Sequence, residues 1–391
     1  MNILVISEFF PNNFRKHEGI FVFEQVKCLK SNNIINVIAP INRYLPLRRY
    51  QDIRINGVKI KKIENIEGIT IYRPKTLNWP VIGELFVPYL ILIKILFYVI
   101  YHRIKFEIIH CHWAYRAGFV GGLLAKIFKK KLIITTYGSD INIWIHEPIK
   151  SRRIIRSLRN CHKIISVSQA LQQKMIQFKI AENKIEVIHQ GIDLNYFRPM
   201  DKNAVRKKLN LPKNKKIILC IADFFPIKGH ENLIKAISLI RNRQDILVLL
   251  IGDGPMRNNI KQQIIIKKIS VVINMVGKKE HKEIPSWINA SDVVVLPSHN
   301  EGLPTVVLES FACGKPIVAN KVGGIPEKIN GSDNGILVES CNVYELARAL
   351  SKALDQKWDS QKIAQHSQDY SWGKISNKIL EEYEKTLANG H

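Results

Sequence analysis

The chain has 391 residues, 46% hydrophobic and 24% charged, and these globular proportions exclude a disordered, collagen-like or coiled-coil architecture for the whole chain. Its length exceeds the usual size of one hydrophobic core and predicts two domains. The six cysteines include no Cys-x-x-Cys pair, which argues against a zinc ribbon or a disulfide framework and is typical of the reducing cytosol.

The first half alternates short β-branched runs with stretches of helical pattern. It opens on an apolar run of strand length that lacks the basic region of a secretory signal peptide. Continuous apolar runs of this kind indicate a parallel sheet covered on both faces, in a doubly wound α/β domain. The expected strands are residues 2–7, 34–39, 107–111, 132–136, 164–168 and 185–188, with a helix at 21–31.

A second series of the same kind follows a polar, basic stretch that begins at Arg198. We therefore expect one Rossmann-like domain at residues 1–195 and another at 196–370. Two such units in tandem predict a ligand cleft between the carboxyl ends of their strands. The second set of expected strands is 217–222, 246–252, 271–275, 293–297, 316–319 and 335–338.

The formal charge of +26 predicts attraction to anions such as acidic lipid, phosphorylated ligands or nucleic acid, and it is unevenly distributed. Residues 1–195 hold 30 Lys and Arg against 13 Asp and Glu, a balance of +17, and the remainder carries +9. Two interpretations stay open, an anionic membrane surface as partner or the codon bias of an AT-rich genome. No nucleic-acid recognition motif accompanies the charge.

Residues 80–105 form an apolar stretch interrupted by Lys94, which makes it too short for a membrane-spanning helix. Lys94, Tyr98, His102 and Lys105 recur at helical spacing and predict a narrow polar stripe. The stretch is interpreted first as a buried core helix and second as a helix lying in a membrane interface.

The motif at residues 298–309, SHNEGLPTVVLE, follows an expected strand and leads into a helical stretch. A tight loop entering a helix leaves backbone N–H groups unpaired, so the amides within 302–305 form an anion site. We expect Glu301 at the mouth of the loop, and Glu309 about two turns into the helix on nearly the same face. One carboxylate can then reach a sugar while the other binds a ribose diol, and the apolar neighbours disfavour a merely solvated face.

This motif resembles the E-x7-E signature of glycosyltransferase family 4, whose members are retaining enzymes of the GT-B fold. The stretches 312–319 (ACGKPIVA) and 323–327 (GGIPE) match the pattern that follows the signature in that family. Matches extend over nearly the whole chain and include Gly19-Ile-Phe, Thr136-Tyr-Gly-Ser-Asp140, Val167-Ser168, residues 191–199, Lys228-Gly229 and Gly252-Asp-Gly-Pro255.

The resemblance implies roles for individual residues. Glu309 would bind the ribose hydroxyls of a nucleotide sugar, Glu301 would face the donor hexose, and Lys228 would neutralise the diphosphate through charge-assisted bonds worth ~1.5–3 kcal/mol each. The other donor-binding positions that it implies are Gly19, Tyr137, Asp140, Gly277, Gly302, Leu303, Pro304 and Thr305. The final helix, at about residues 371–391, would pack back on the first domain.

We expect no metal, because no Asp-x-Asp pair occurs and a lysine with helix dipoles would serve in its place. His110 and His112 resemble a metal-binding pair, but we expect strand alternation to send the two rings to opposite faces. One ring would then be core and the other, His112, would lie on the acceptor side.

Two positions depart from the family pattern. Tyr137 stands where members often have histidine, and Asp223 lies where many have an arginine upstream of the Lys-Gly pair. Since Asp223 cannot neutralise phosphate, Lys228 would act with a second cation, from Arg257 or Lys278. Two alternatives to a transferase are a GT-B sugar-nucleotide epimerase and a catalytically weakened nucleotide-sugar-binding protein.

The resemblance thus implies a metal-independent enzyme without a cofactor, made of two Rossmann-like domains facing across a cleft. It would move a hexose-type sugar, with retention, from a UDP- or GDP-linked donor to a glycan or lipid-linked acceptor in cell-surface polysaccharide synthesis. The expected location is cytoplasmic, with peripheral association at the inner face of the cell membrane, and no nucleic-acid partner is expected.

Overall fold

A computed structural model describes residues 1–13, 18–44, 60–78 and 83–388. The chain divides into two compact units, one made of Met1–Gly191 with Trp372–His391 and the other of Ile192–Ser371. The division that the sequence predicts near residue 195 therefore falls between Gly191 and Ile192 in the structure.

The first unit is built around a sheet with the strand order β10-β9-β8-β7-β1-β2-β5-β4 in its described part, beside a small sheet of β3 and β6. The six expected strands of this half are confirmed, because each apolar run is long enough to be buried between helices on both faces. The strands are β1 (Asn2–Ile6), β2 (Ile34–Ile38), β3 (Ile41–Tyr44), β4 (Ile63–Ile66), β5 (Ile69–Tyr72), β6 (Lys75–Asn78), β7 (Ile108–His112), β8 (Lys131–Thr136), β9 (Lys163–Ser166) and β10 (Ile185–Val187).

One edge of this sheet corrects the expectation of an all-parallel arrangement. Strand β4 pairs with β5 in the antiparallel sense, through a two-residue turn at Glu67 and Gly68. Both turn residues have positive φ, 50° and 74°, as the tight hairpin turn that matches strand twist requires. The four strands β3 to β6 were not predicted, because polar residues interrupt the apolar ones in their sequences INRY, IENI, ITIY and KTLN.

The helices of this unit connect successive strands. Helix α2 packs against α3, and α3 packs against α5, so these three lie side by side. The strands after β7 are added on one side of β1, whereas β2 is added on the other side. Since both kinds of crossover are right-handed, α1, which connects β1 to β2, covers the opposite face of the sheet. The helices are α1 (Ile20–Leu29), α2 (Gly83–Tyr101), α3 (Arg116–Phe128), α4 (Ser139–Asn142), α5 (Pro148–Asn160) and α6 (Gln169–Gln177).

The helix expected within residues 80–105 is observed as α2, while residues 79–82 lie outside the described part. One side of α2 is buried, at Val87, Ile91, Ile95 and Val99. The opposite side exposes large apolar residues, so α2 is a core helix on one side only. Across the described residues, no helix is both long and apolar enough to span a bilayer.

The second unit has a wholly parallel sheet with the order β13-β12-β11-β14-β15-β16 in the described residues. Alternate residues of each strand enter two separate cores, as Ile218 and Cys220 do on one face and Ile217 and Leu219 on the other. This two-sided burial explains why the strands read as continuous apolar runs, and all six expected strands are confirmed. They are β11 (Lys216–Ile221), β12 (Ile246–Ile251), β13 (Ile273–Gly277), β14 (Val293–Leu296), β15 (Ile317–Asn320) and β16 (Gly335–Val338).

The helices of the second unit cover both faces of this sheet, in the pattern of a doubly wound fold. They are α7 (Lys202–Lys208), α8 (His230–Leu239), α9 (Arg257–Ile266), α10 (Ile284–Ala290), α11 (Thr305–Ala312), α12 (Val343–Asp355) and α13 (Ser360–Gln365).

The last helix, α14 (Trp372–Ala388), returns to the first unit, where it packs against α1 and β8. Tyr383 is fully buried there, and its hydroxyl lies 2.6 Å from Nδ1 of His110. Glu382 adds an ion pair with Lys163 at 3.1 Å. A buried hydrogen bond and an ion pair therefore fix a segment that is far from its neighbours in sequence.

Candidate functional site

The predicted donor-binding residues of the second unit lie at the point where the strand order of its sheet reverses. Strand β11 is central, β12 follows on one side, and β14 lies on the other. Loops leaving the carboxyl ends of two such strands diverge, and ligands of open α/β sheets bind in the opening between them. Lys228 belongs to the loop after β11, and Glu301 to the loop after β14.

The structure brings Lys228 and Glu301 into direct contact. Nζ of Lys228 lies 2.6 Å from Oε1 of Glu301. The lysine side chain is 28% exposed and the glutamate 9%, so the pair lies at the edge of the protein interior with the cation facing outward. The sequence assigned the two residues to one site, and the geometry places them within one hydrogen bond.

Gly229 makes this contact possible. It follows the 3-10 turn Pro226–Lys228 and caps α8 with a φ of 69°, a conformation that favours glycine. A side chain at this position would collide with the Pro297 carbonyl oxygen at the end of β14. The close approach of the two loops therefore requires glycine, and it sets Lys228 beside Glu301.

The amide groups expected to bind an anion lie at the start of α11. The helix begins at Thr305, and its N-cap Pro304 offers no side-chain hydrogen bond to the first turn. The first N–H groups of a helix lack partners within it, so this end attracts negative charge. Leu303 is buried just before the helix, while Gly302 accepts a hydrogen bond at 2.7 Å from the amide of Gly324.

Glu309 lies in the second turn of α11, and Glu301 lies in the loop between β14 and this helix. Oε1 of Glu309 lies 3.2 Å from Nε2 of His281, and the side chain is 9% exposed.

His281 is a site residue that the sequence analysis missed. It opens the 3-10 turn His281–Glu283 after β13, and its ring contacts Phe197 with centroids 5.3 Å apart. The flanking glutamates of this turn, Glu280 and Glu283, form a capping box that fixes the turn. That Glu-x-x-Glu spacing was the available signal for a fixed turn. Gly277, at the end of β13, has a φ of 82° and open space around its α-carbon.

The second cation expected beside Lys228 was Arg257 or Lys278. Arg257 opens α9 and its Nη1 lies 3.5 Å from Oδ1 of Asp253, so the structure gives it an acidic partner. Asp223 is exposed in the loop after β11, and its carbonyl accepts from the amide of Phe225 at 2.8 Å.

In the first unit, the expectation that His110 and His112 face opposite sides of β7 is wrong. Residues two apart on a strand share a face, and the two ring centroids are 4.4 Å apart. Nε2 of His110 lies 2.7 Å from the hydroxyl of Thr135, and Nδ1 of His112 lies 2.6 Å from the hydroxyl of Tyr137. Burial lowers the pKa of His110 to about 3 and that of His112 well below its usual value, so both rings are neutral.

Tyr137 belongs to an aromatic group at the carboxyl end of β8. Its ring centroid lies 4.9 Å from that of Phe21 and 4.6 Å from that of Trp113. Burial raises the pKa of Tyr137 well above its ordinary value, which keeps the phenol protonated. The hydroxyl is therefore a hydrogen-bonding group paired with His112.

Asp140 organises the loop that carries Tyr137. It is fully buried, and its carboxylate accepts hydrogen bonds from the amides of Ala114, Tyr137 and Gly138 at 3.1 to 3.2 Å. Burial raises the pKa of Asp140, while these amides oppose the shift. Because its oxygens bind backbone amides of its own loop and of the segment after β7, Asp140 acts on the site by positioning Tyr137.

Gly19 caps α1 with a φ of 69°, and a side chain there would collide with the carbonyl oxygen of Phe9. Residues 14–17 of the same loop lie outside the described part. Gly19 is therefore held against the segment that follows β1. The strand order of the first unit's sheet reverses at β1, so Gly19 lies near the carboxyl end of the strand at that reversal point.

Comparison with protein families identifies both halves of the chain. The family described as glycosyl transferases group 1 matches residues 201–370, and the one described as Glycosyltransferase Family 4 matches residues 59–196. Two curated relatives match at length. One is the D-inositol 3-phosphate glycosyltransferase of Streptosporangium roseum, 27% identical over 73% of this chain and 71% of that protein.

The other relative, from Bacillus subtilis, is named "Putative teichuronic acid biosynthesis glycosyltransferase TuaC" and is 25% identical over 90% of this chain and 89% of that protein. Among solved structures, HepE of Anabaena in complex with UDP-glucose has a TM-score of 0.74 at 20% identity, covering 98% of this chain and all of that one. The fold of two Rossmann-like units is thus that of the GT-B glycosyltransferases. With family matches over most of its length, this protein belongs to the glycosyltransferases of family 4.

Proposed function

We propose that this protein transfers a hexose-type sugar from a UDP- or GDP-linked donor to a glycan or lipid-linked acceptor in cell-surface polysaccharide synthesis. The observation that carries the proposal is the pair of Lys228 and Glu301, 2.6 Å apart at the reversal point of the sheet and next to the N-terminus of α11. A cation, a carboxylate and a helix N-terminus in one place suit a sugar joined to a diphosphate.

Lys228 is assigned to the leaving nucleoside diphosphate. Negative charge grows on that group as the glycosidic bond breaks, and a positioned ammonium with helix amides stabilises it. Lys228 is the more exposed partner of the ion pair, so its ammonium group can reach a phosphate while it stays close to Glu301. We assign the positive charge that balances the diphosphate to this lysine.

Glu301 and Glu309 are assigned to the two hydroxyl-rich parts of the donor. Glu301 is at the mouth of the loop and faces the hexose, while Glu309 binds the ribose hydroxyls. Carboxylates accept two hydrogen bonds from a diol, which makes them suited to both tasks. The solved relative HepE was obtained with UDP-glucose, which supports a nucleotide sugar of this type as donor.

The first unit is assigned to the acceptor, with His112 at the carboxyl end of β7 on the acceptor side. Its excess of basic residues suits a phosphorylated or lipid-diphosphate-linked acceptor. The names of the two relatives, one for a D-inositol 3-phosphate acceptor and one for teichuronic acid biosynthesis, support a phosphate-bearing acceptor and a surface polysaccharide.

A panel of UDP- and GDP-hexoses, incubated with the protein and a lipid-diphosphate-linked acceptor, tests the proposal by mass spectrometry of the products. We expect transfer without added metal and in the presence of a chelator, with the anomeric configuration of the donor retained in the product by NMR. Lys228→Ala and Glu309→Ala should each abolish most of the sugar transfer. Lys352→Ala, at an exposed position of α12, should leave transfer unchanged.

Unchanged transfer in both site variants would refute the site assignment. Conversion of the donor alone into an isomer would instead identify an epimerase, and UDP binding without any transfer would identify a binding protein. Each of these results replaces the proposed function with one of its named alternatives.

A further inference from the structure

The outward side of α2 presents an apolar surface that no other described residue covers. Five large side chains on it are between 57% and 69% exposed, namely Phe86, Ile93, Phe97, Ile100 and Tyr101. At 100° per residue these positions fall within about 100° of arc, so they line up along one side of a 19-residue helix about 28 Å long. Scattered exposed apolar residues are ordinary in proteins, but a continuous strip of this length marks an interaction surface.

The helices beside α2 add a basic surface to this strip. Tyr89 of α2 packs edge-on against Phe119 of α3, with ring centroids 5.7 Å apart. Nη2 of Arg153 on α5 donates to the Leu85 carbonyl at 2.7 Å, so α5 reaches the start of α2. The exposed cations in and directly after α3 and in α5 are Lys126, Lys129, Arg152, Arg156 and Arg159.

Acidic residues do not balance these cations. Between residues 108 and 181 the sequence contains only two, Asp140 and Glu147. Asp140 is fully buried, and Glu147 is paired with Lys150 at 2.7 Å. Helix α5 itself, Pro148–Asn160, has no Asp or Glu at all. The face formed by α2, α3 and α5, here called the α2 face, is therefore apolar along one side and positively charged along the other.

This combination favours an anionic bilayer over a second copy of the chain as the occupant. A two-fold dimer through α2 would bring two basic surfaces close together, at an electrostatic cost. A bilayer accepts the apolar strip at its headgroup and acyl boundary, with Phe and Tyr side chains suited to that depth. Its acidic headgroups then meet the lysines and arginines.

We propose that α2 lies flat in the surface of an anionic membrane, with its outward apolar side inserted and the cations of α3 and α5 on the lipid headgroups. This inference rests on the proposed function and deepens it, because it names the membrane-binding surface at which the enzyme would encounter a lipid-linked acceptor. Its test measures binding without any sugar donor, so that the two proposals can fail separately.

Sedimentation of the full-length protein with vesicles tests the proposal. Vesicles of phosphatidylcholine containing about a third phosphatidylglycerol should bind the protein, and binding should weaken strongly at ~0.5 M salt because surface charges are screened. Vesicles of phosphatidylcholine alone should bind it at least ~10-fold more weakly, since each basic residue near an anionic surface contributes about a factor of five.

Two pairs of substitutions separate the apolar and basic parts. Ile93→Gln with Phe97→Gln removes two inserted side chains, and Arg152→Gln with Arg156→Gln removes two cations. Each pair should reduce affinity for anionic vesicles by about 10-fold or more. A control pair on exposed apolar residues of the second unit, Ile266→Gln with Val271→Gln, should leave binding unchanged.

Circular dichroism melts should match the parent protein, because all six residues are exposed, and UDP affinity by calorimetry should be retained. Equal binding to neutral and anionic vesicles, or unchanged binding in both pairs of α2-face variants, would overturn the proposal. A dimer in light scattering that the Ile93 and Phe97 variant converts to monomer, with no vesicle binding, would assign the strip to a second copy instead.

Discussion

His281 holds Glu309, with Nε2 of the histidine 3.2 Å from Oε1 of the glutamate, across 28 positions of sequence. The carboxylate assigned to the ribose therefore has its position set by a turn at the end of β13. The contact with His281 uses one acceptor site on Oε1 of Glu309. The remaining acceptor sites of the carboxylate can then bind hydroxyl groups of a ligand. His281 is thus a positioning residue for donor binding, in the site proposed above.

Replacing this histidine should weaken nucleotide binding. His281→Ala should raise the Kd for UDP about fivefold, equal to the ~1 kcal/mol of one hydrogen bond. Glu309→Ala should cost more, and the double variant should cost no more than Glu309→Ala alone, because the two groups act through one contact. Isothermal titration calorimetry measures each value. Lys282→Ala, at the exposed neighbouring position, is the control, and an equal loss there would contradict the assignment.

Glu301→Gln should separate donor binding from transfer. Without its carboxylate partner, Lys228 keeps its charge and becomes more available to phosphate, so UDP affinity should stay the same or increase. Transfer should fall by ~10²-fold or more, because the group facing the hexose is lost. Calorimetry with UDP and product analysis by mass spectrometry provide the two readouts. The exposed pair Lys321–Glu339 supplies the control Glu339→Gln, and loss of UDP affinity in Glu301→Gln would argue against the assigned roles.

Gly229→Ala should damage both the fold and the donor site. Its φ of 69° and its contact with the Pro297 carbonyl oxygen leave no room for a methyl group. We expect a loss of ~2 kcal/mol or more in the free energy of unfolding and weaker UDP binding. Denaturant titration measures the first quantity. Gly373→Ala is the matched control, because Gly373 lies in α14 with open space around it and an alanine there should be neutral or stabilising.

The buried histidines of β7 should make the first unit sensitive to acid. The pKa of His110 falls from an unfolded value of about 6.5 to about 3 in the fold, so the unfolded chain binds protons that the folded chain refuses. The contribution of each such neutral ring to the free energy of unfolding is fully present above pH 6.5. It is lost as the pH falls towards 3, by ~1.4 kcal/mol per pH unit for each histidine.

Thermal melts between pH 7.5 and pH 5 measure this slope. His110→Gln should flatten it, whatever its effect on the absolute melting temperature, whereas His146→Gln, at an exposed position, should leave the slope as it is. A slope that is unchanged in His110→Gln would mean that the buried ring does not carry the acid sensitivity.

Local pattern sufficed for strands made of continuous apolar runs and failed for strands in which polar residues interrupt the apolar ones. Twelve apolar runs became strands, because burying such a run between two helical layers leaves little alternative. The hairpin of β4 and β5 was not predicted, since polar residues interrupt IENI and ITIY, and its turn depends on Glu67 taking a positive φ. The error over His110 and His112 was one of strand geometry, because residues two apart share a face.

The sequence by itself determined the family and the doubly wound character of both halves, and it indicated that Lys228 and Glu301 share a site, because these follow from motifs and from apolar runs whose burial is decided locally. Tertiary structure alone decided that His281 holds Glu309, that α14 returns to bind His110 through Tyr383, and that α2 leaves an apolar side exposed. Those relations join residues far apart in the chain. They depend on which strands become neighbours and on what covers each helix, and no local pattern of side chains encodes either.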